Sequence, residues 1–281
     1  MSDIHSINEA INKRAGRKLG PSIVVGVSLL AIVYASLIFN RFVFATVVLI
    51  ATLLGVREII AAFKSKDIYL SRSANYAAAI AIAIGAWFGG IRGLLVATVI
   101  ALIISLISLL RKGVDNFVAK STAAAFAIFY IPFLAGFFIL LARPYNGFER
   151  VATAIILVAS NDTFGYLVGV LFGRHKLVPK ISPKKSVEGL LGSILFTVIF
   201  GILTFKYLLE LPIWLGVAVG LLVVFTATTG DLVESALKRD FALKDMSQFL
   251  PGHGGVMDRL DSILFSGAAL WLVLELAIRY L

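Results

Sequence analysis

Acidic, basic and glycine residues crowd into one stretch near the C-terminus, Gly230 to Asp261, which reads GDLVESALKRDFALKDMSQFLPGHGGVMDRLD. If a helix carrying Asp231 continues past it, Asp231, Ser235 and Lys238 share a face at i, i+4 and i+7. Asp258 and Asp261 share another at i, i+3. Two such carboxylate-bearing helix ends could meet across one cation, with oxygen ligands suited to Mg²⁺. The same acids could instead pair with Lys238, Arg239 and Arg259 in a solvated ionic network. Between them, Pro251-Gly252-His253-Gly254-Gly255 is a loop whose glycines permit positive φ and close backbone approach, turning amide N–H groups toward an anion such as a triphosphate. A tight turn leading back to the next helix calls for the same residues. His253 could bond a phosphate or serve only as a hinge contact.

A second dense stretch runs from Asp162 to Gly189, DTFGYLVGVLFGRHKLVPKISPKKSVEG. Its basic run of Arg174, Lys176, Lys180, Lys184 and Lys185 offers point charges for phosphates, or marks only the side of a membrane on which the loop lies. Gly165, Gly169 and Gly173 recur every four residues, which makes one helix face a close-packing surface. That packing would hold Asp162 near the loop, either as a metal ligand or as a bonded structural acid.

The elements that must position these residues are membrane helices. Of the 281 residues, 59% are hydrophobic and only 15% charged, and the mean hydropathy is +0.96. Runs such as Ser22 to Asn40 and Gly93 to Leu110 are apolar all round, which fits helices and not the alternating strands of a porin-type barrel. At about 20 residues per crossing, the expected fold is an all-α polytopic integral membrane protein of about nine transmembrane helices. The spans are placed near 21–39, 42–62, 75–91, 93–110, 121–142, 149–171, 189–209, 211–229 and 262–280. Residues 1–20 would form a cytoplasmic segment, either a short interfacial helix or a frayed tail, ahead of N-terminal transmembrane helices over 21–148 and a C-terminal catalytic region over 149–281. Both polar loops then emerge on one face, and nineteen of the 26 Lys and Arg residues fall on that side with the N-terminus. Basic residues accumulate on the cytoplasmic side, so the N-terminus and both loops are predicted to be cytoplasmic.

Composition also excludes. There is no cysteine and histidine occurs only three times, so thiolate metal sites and a HExxH zinc helix are ruled out. The net charge of +10 is spread between apolar spans, a pattern for membrane orientation and phosphate handling, not for nucleic acid.

The stretch from Gly230 to Asp261 resembles the signature of the phosphatidate cytidylyltransferase family, through Ser235, Lys238-Arg239, Lys244-Asp245, Pro251-Gly252-His253-Gly254-Gly255, Asp258-Arg259 and Asp261 in order and at the expected spacing. Ser182-Pro183-Lys184-Lys185 and Glu188-Gly189 match the preceding stretch of the same family, with Val187 departing where an aromatic residue is common. The resemblance covers roughly the last 120 residues. It implies transfer of a cytidylyl group from CTP to phosphatidate, giving CDP-diacylglycerol and pyrophosphate for phospholipid synthesis, in the inner (cytoplasmic) membrane and in a homodimer. Lys238, Arg239, Asp258 and Arg259 are then the expected catalytic residues. Ser182, Lys184, Lys185, Ser235, Lys244, Gly252, His253, Gly254 and Gly255 would bind substrate. Asp231, Asp258, Asp261 and Asp162 would hold Mg²⁺ and a possible second cation. Rival readings are a related membrane CTP enzyme, such as a polyprenol kinase or an archaeal-type lipid cytidylyltransferase, and, from another class, an ion-coupled transporter using Asp162 and Asp231. A transporter would more often show paired broken helices, and the N-terminal half shows no comparable pair.

Overall fold

A backbone in hydrocarbon must satisfy its own amides, and the chain does so with helix along nearly its whole length. The computed structural model describes residues 19–111, 113–249 and 254–280. The elements are α1 (Leu19–Phe39), α2 (Arg41–Lys64), α3 (Arg72–Leu110), α4 (Phe117–Ile128), a π-helical turn (Phe129–Phe133), α5 (Leu134–Ala142) and α6 (Gly147–Phe172). A short hairpin of β1 (Lys176–Val178) and β2 (Ser182–Ser186) follows, then α7 (Val187–Tyr207), α8 (Ile213–Asp240) and α9 (Met257–Tyr280). Of the N-terminal segment 1–20, only Leu19 and Gly20 fall among the described residues, at the start of α1.

Seven helical stretches among the described residues are long and apolar enough to cross a membrane. One of them, α3, has 39 residues, about 58 Å of helix and twice the thickness of a hydrocarbon core. It reverses at Gly90, whose φ of 63° and ψ of −147° break the helix. Gly85 and Gly93 would stand about 12 Å apart in a straight helix, yet a Cβ added to Gly85 would lie 2.5 Å from the Gly93 carbonyl oxygen. The stretch is therefore a hairpin of two antiparallel arms whose backbones touch where side chains are missing. Counting both arms and α1, the described residues form nine membrane-length segments, as predicted from hydropathy.

The turns alternate between two ends, and contacts define each end. At one, Arg41 donates to the carbonyls of Arg143 (2.8 Å) and Pro144 (2.6 Å), and the Arg143 guanidinium packs over Gly90. At the other, Lys66 pairs with Asp240 at 3.5 Å and the β-hairpin leans on α8. The helix α5 runs through the centre, with every residue from Ala135 to Ala142 buried. Pro132 interrupts the helix leading into it. Lacking an N–H, proline cannot complete the i to i−4 ladder, and the chain widens into the π-helical turn there.

Three helices near the C-terminus pack on glycine. A Cβ on Gly189 would lie 2.7 Å from the Gly165 carbonyl and 3.2 Å from Gly169 Cα, which brings α7 against the predicted glycine face of α6. Gly201 and Gly216 allow the same approach between α7 and α8. Hydropathy ended the last two spans at their charged residues, but α8 continues as helix to Asp240 and α9 begins at Met257. Both extensions carry charges that are paired with one another.

Candidate active site

Gly230 decides where the acids meet. A Cβ there would collide with the backbone carbonyl of Asp261, so only glycine lets α8 and α9 approach at this level. The residue after Gly230 is Asp231, and the approach places it beside Asp261. The carboxylates of Asp231, Glu234 and Asp261 all lie within 4.8 Å of one another. Glu234 is completely buried; among the described residues its Oε1 has no hydrogen-bond partner, and its Oε2 meets Lys238 as an ion pair. Asp261, also buried, accepts from the amide of Ser262 at 2.7 Å. Three buried or half-buried carboxylates with lone pairs to spare form an oxygen donor set that suits a hard divalent cation such as Mg²⁺.

Asp258 sits one helical turn away and is spoken for. Its Oδ1 accepts from Lys238 Nζ at 2.7 Å. Its Oδ2 accepts from the amides of Met246 (3.0 Å) and Gly255 (2.8 Å). Lys238 therefore stands between Asp258 and Glu234, ion-paired to both. Asp258 and Asp261 leave the same turn of α9 in different roles: one fastens the preceding loop to Lys238, the other joins the acid cluster.

The basic hairpin comes to the same place. Lys185 pairs with Asp231 at 2.5 Å, and Arg239 Nε donates to the Ile181 carbonyl at 3.4 Å. Glu188, in the first turn of α7, closes the hairpin by accepting from the amides of Arg174 (3.0 Å) and His175 (3.2 Å) and meeting His175 Nδ1 at 2.7 Å. Between hairpin and helix lies a cavity of about 120 Å³ lined by Ser182, Lys184, Ser235, Lys238, Arg239 and Lys244, with Ile181, Pro183 and Leu243. Six residues singled out from the sequence as catalytic or substrate-binding thus share one wall. Four cationic side chains without an acid among the lining residues make a receptor for phosphate groups.

The remaining predicted residues take varied positions. Asp162 is exposed on α6, accepts from Asn161 Nδ2 at 2.9 Å, and lies within electrostatic reach of Asp231, Lys185 and Arg259. Gly254 has φ +80°, and a Cβ on it would lie 2.8 Å from Asp258 Oδ2. Gly255 gives its amide to Asp258, so the described part of the glycine loop is folded around the protein's own carboxylates. Gly252 and His253 lie outside the described residues. Two buried acids were not among the predicted site residues. Glu234 looked like one more charge on a helix, although its place one turn before Lys238 was a usable signal. Glu58, an acid within an apolar span, carried the stronger signal, because such residues are seldom retained without a partner.

The sequence matches the cytidylyltransferase family over residues 21–277. It is similar to the phosphatidate cytidylyltransferase of Mycobacterium bovis, with 37% identity over 277 residues covering 94% of this chain and 90% of the relative. The phosphatidate cytidylyltransferase of Mycobacterium leprae is 36% identical, with 94% and 89% covered. That of Staphylococcus haemolyticus is 38% identical over 144 residues, half of this chain and 55% of the relative.

Proposed function

The chain belongs to the cytidylyltransferase family, and from that membership we propose that it transfers the cytidylyl group of CTP to phosphatidate, forming CDP-diacylglycerol and pyrophosphate. The observation that carries the reading is the cationic pocket sharing Lys238 with a cluster of three carboxylates, two of them buried. Two polyanions must be brought together in this reaction, and such a pairing of cationic wall and cation-binding acids is what that demands.

The residues divide the work by position. Lys184, Lys244, Ser182 and Ser235 bind phosphate oxygens in the pocket, and Arg239 and Lys238 line it with them. An oxygen of the lipid phosphate attacks the α-phosphorus of CTP. The bond from that phosphorus to the bridging oxygen breaks, and its electron pair leaves with pyrophosphate. A phosphate monoester is already ionised near neutral pH, so the nucleophile needs positioning more than deprotonation. Lys238, fixed by Glu234 and Asp258, holds positive charge where it can meet the leaving group. Arg259 is assigned to the same charge balance. Asp231, Glu234 and Asp261 would hold Mg²⁺, supported by a Glu234 oxygen without a hydrogen-bond partner among the described residues, and Asp162, within electrostatic reach of Asp231, is the acid available to a second cation. When bound, the metal supplies positive charge to phosphate oxygens as negative charge moves onto pyrophosphate.

The nineteen-of-26 bias in basic residues supports a cytoplasmic pocket, and the family resemblance supports the inner membrane and a homodimer. Pyrophosphate release by the purified protein in detergent tests the reading. It should require CTP, Mg²⁺ and phosphatidate together. Equal release with a polyprenol or another lipid replacing phosphatidate would overturn the substrate assignment.

A further inference from the structure

Glu58 lies in α2, far in sequence from the acid cluster, and is buried. A carboxylate in an apolar span is costly unless its oxygens are satisfied, and here each one is. Oε1 accepts from Ser247 Oγ at 2.6 Å and from the amide of Val256 at 2.9 Å. Oε2 accepts from the amide of Met257 at 2.8 Å. Val256 and Met257 stand at the start of α9, where amides have no partner within the helix and the helix dipole favours negative charge. Glu58 is thus the N-terminal cap of α9, supplied by a helix about 200 residues earlier in the chain.

The donors on either side are shared with Asp258 in alternation. Met246 donates to Asp258, and Ser247 donates to Glu58. At the other end of the loop, Gly255 donates to Asp258 while Val256 and Met257 donate to Glu58. Both ends of the loop are therefore fastened by the same two carboxylates. A Cβ on Gly255 would lie 2.5 Å from Glu58 Oε2 and 2.8 Å from its Cδ, so this glycine is the opening through which Glu58 enters. Directly after the cap stands Asp258, which holds Lys238, and one turn further on is Asp261, which completes the acid cluster.

We propose that Glu58 is a positioning residue for the transfer reaction, fixing the start of α9 and hence the setting of Asp258, Lys238 and Asp261 without touching substrate. The inference rests on the function proposed above for its kinetic consequence but not for the clamp itself. Misplacing reacting groups by about 1 Å costs on the order of a hundredfold in rate. Glu58→Ala should lower kcat by about that factor and raise the half-saturating Mg²⁺ concentration, with KM for CTP and for phosphatidate within about threefold of wild type. Glu58→Gln keeps one oxygen for Ser247 and Val256 but turns an NH₂ toward the Met257 amide, so it should lose about tenfold. Ser247→Ala removes one donor and should lose less. Hydrogen exchange of the full chain in detergent reads the clamp directly: the Val256 and Met257 amides should exchange faster in both Glu58 variants, by more than amides of helices that do not touch Glu58. If Glu58→Ala does not fold, Glu58→Gln and Ser247→Ala decide. Folded variants with kcat and Mg²⁺ half-saturation within about twofold of wild type, or with unchanged exchange at Val256 and Met257, overturn the proposal. A wild type inactive on CTP and phosphatidate would sink the proposed function instead, and the exchange result would still decide the clamp.

Discussion

Lys238 is tied on two sides, to Glu234 and to Asp258 at 2.7 Å, and still forms part of the phosphate-sized cavity. A lysine restrained in this way loses little freedom when an anion arrives, which is the condition for electrostatic help in a transition state. Lys238→Ala should therefore lower kcat by about 10²–10³ and change the KM for CTP far less. If the KM for CTP alone rose, the leaving-group role would be withdrawn. Lys184 is exposed and ion-paired to no acid among the described residues. Its replacement by alanine should raise KM several-fold with kcat preserved. Glu234 separates a metal-binding cluster from a purely ionic one. Glu234→Gln keeps size and removes a ligand charge, so activity should need about ten times more Mg²⁺ for half-saturation. An unchanged Mg²⁺ titration would leave Glu234 as the counter-ion of Lys238 alone.

Among the elements, α8 and α9 owe their approach to Gly230, and the acid cluster exists because they approach. Gly230→Val should force the two helices apart or strain them, at a cost of about 1–3 kcal/mol, and should abolish turnover in protein that still elutes as a single species. Retained activity would show that the cluster tolerates a wider spacing. Much of this level was legible in the sequence. Apolar runs located the spans, the four-residue glycine period located the α6 face that receives α7, and the spacing of Asp231, Ser235 and Lys238 anticipated the extension of α8. What could not be read is what depends on contacts distant in sequence. Glu58 meets Val256 across 198 residues, and Asp258 and Asp261 share a turn yet face different partners. The glycines at 254 and 255 looked like a phosphate loop because an internal carboxylate and a bound phosphate ask the same of a backbone. Nor could it be read that the buried Tyr130 hydroxyl, in the π-helical turn, would have no hydrogen-bond partner among the described residues and stand within electrostatic reach of Asp261, Glu234 and Asp231.

At the scale of the whole molecule, the two ends differ in chemistry as well as in charge. One end holds Arg41, Gly90 and Arg143 in a compact set of turns. The other gathers the hairpin, the cationic cavity and the loop between α8 and α9. The orientation proposed above, with the cavity end in the cytoplasm, rests on the excess of lysine and arginine on that side, because such residues resist translocation. The chain contains no cysteine, so single cysteines report topology without background. Tyr145, 96% exposed in the turn between α5 and α6, marks one end; Asp115, exposed between α3 and α4, marks the other. In intact cells, Tyr145→Cys should react with a membrane-impermeant maleimide and Asp115→Cys should not, and inverted vesicles should exchange the two results. Both variants lie away from the pocket, so their activity should match wild type and certify the fold being labelled. The opposite labelling would put the cationic cavity on the outer face, where a nucleotide made in the cytoplasm does not reach it.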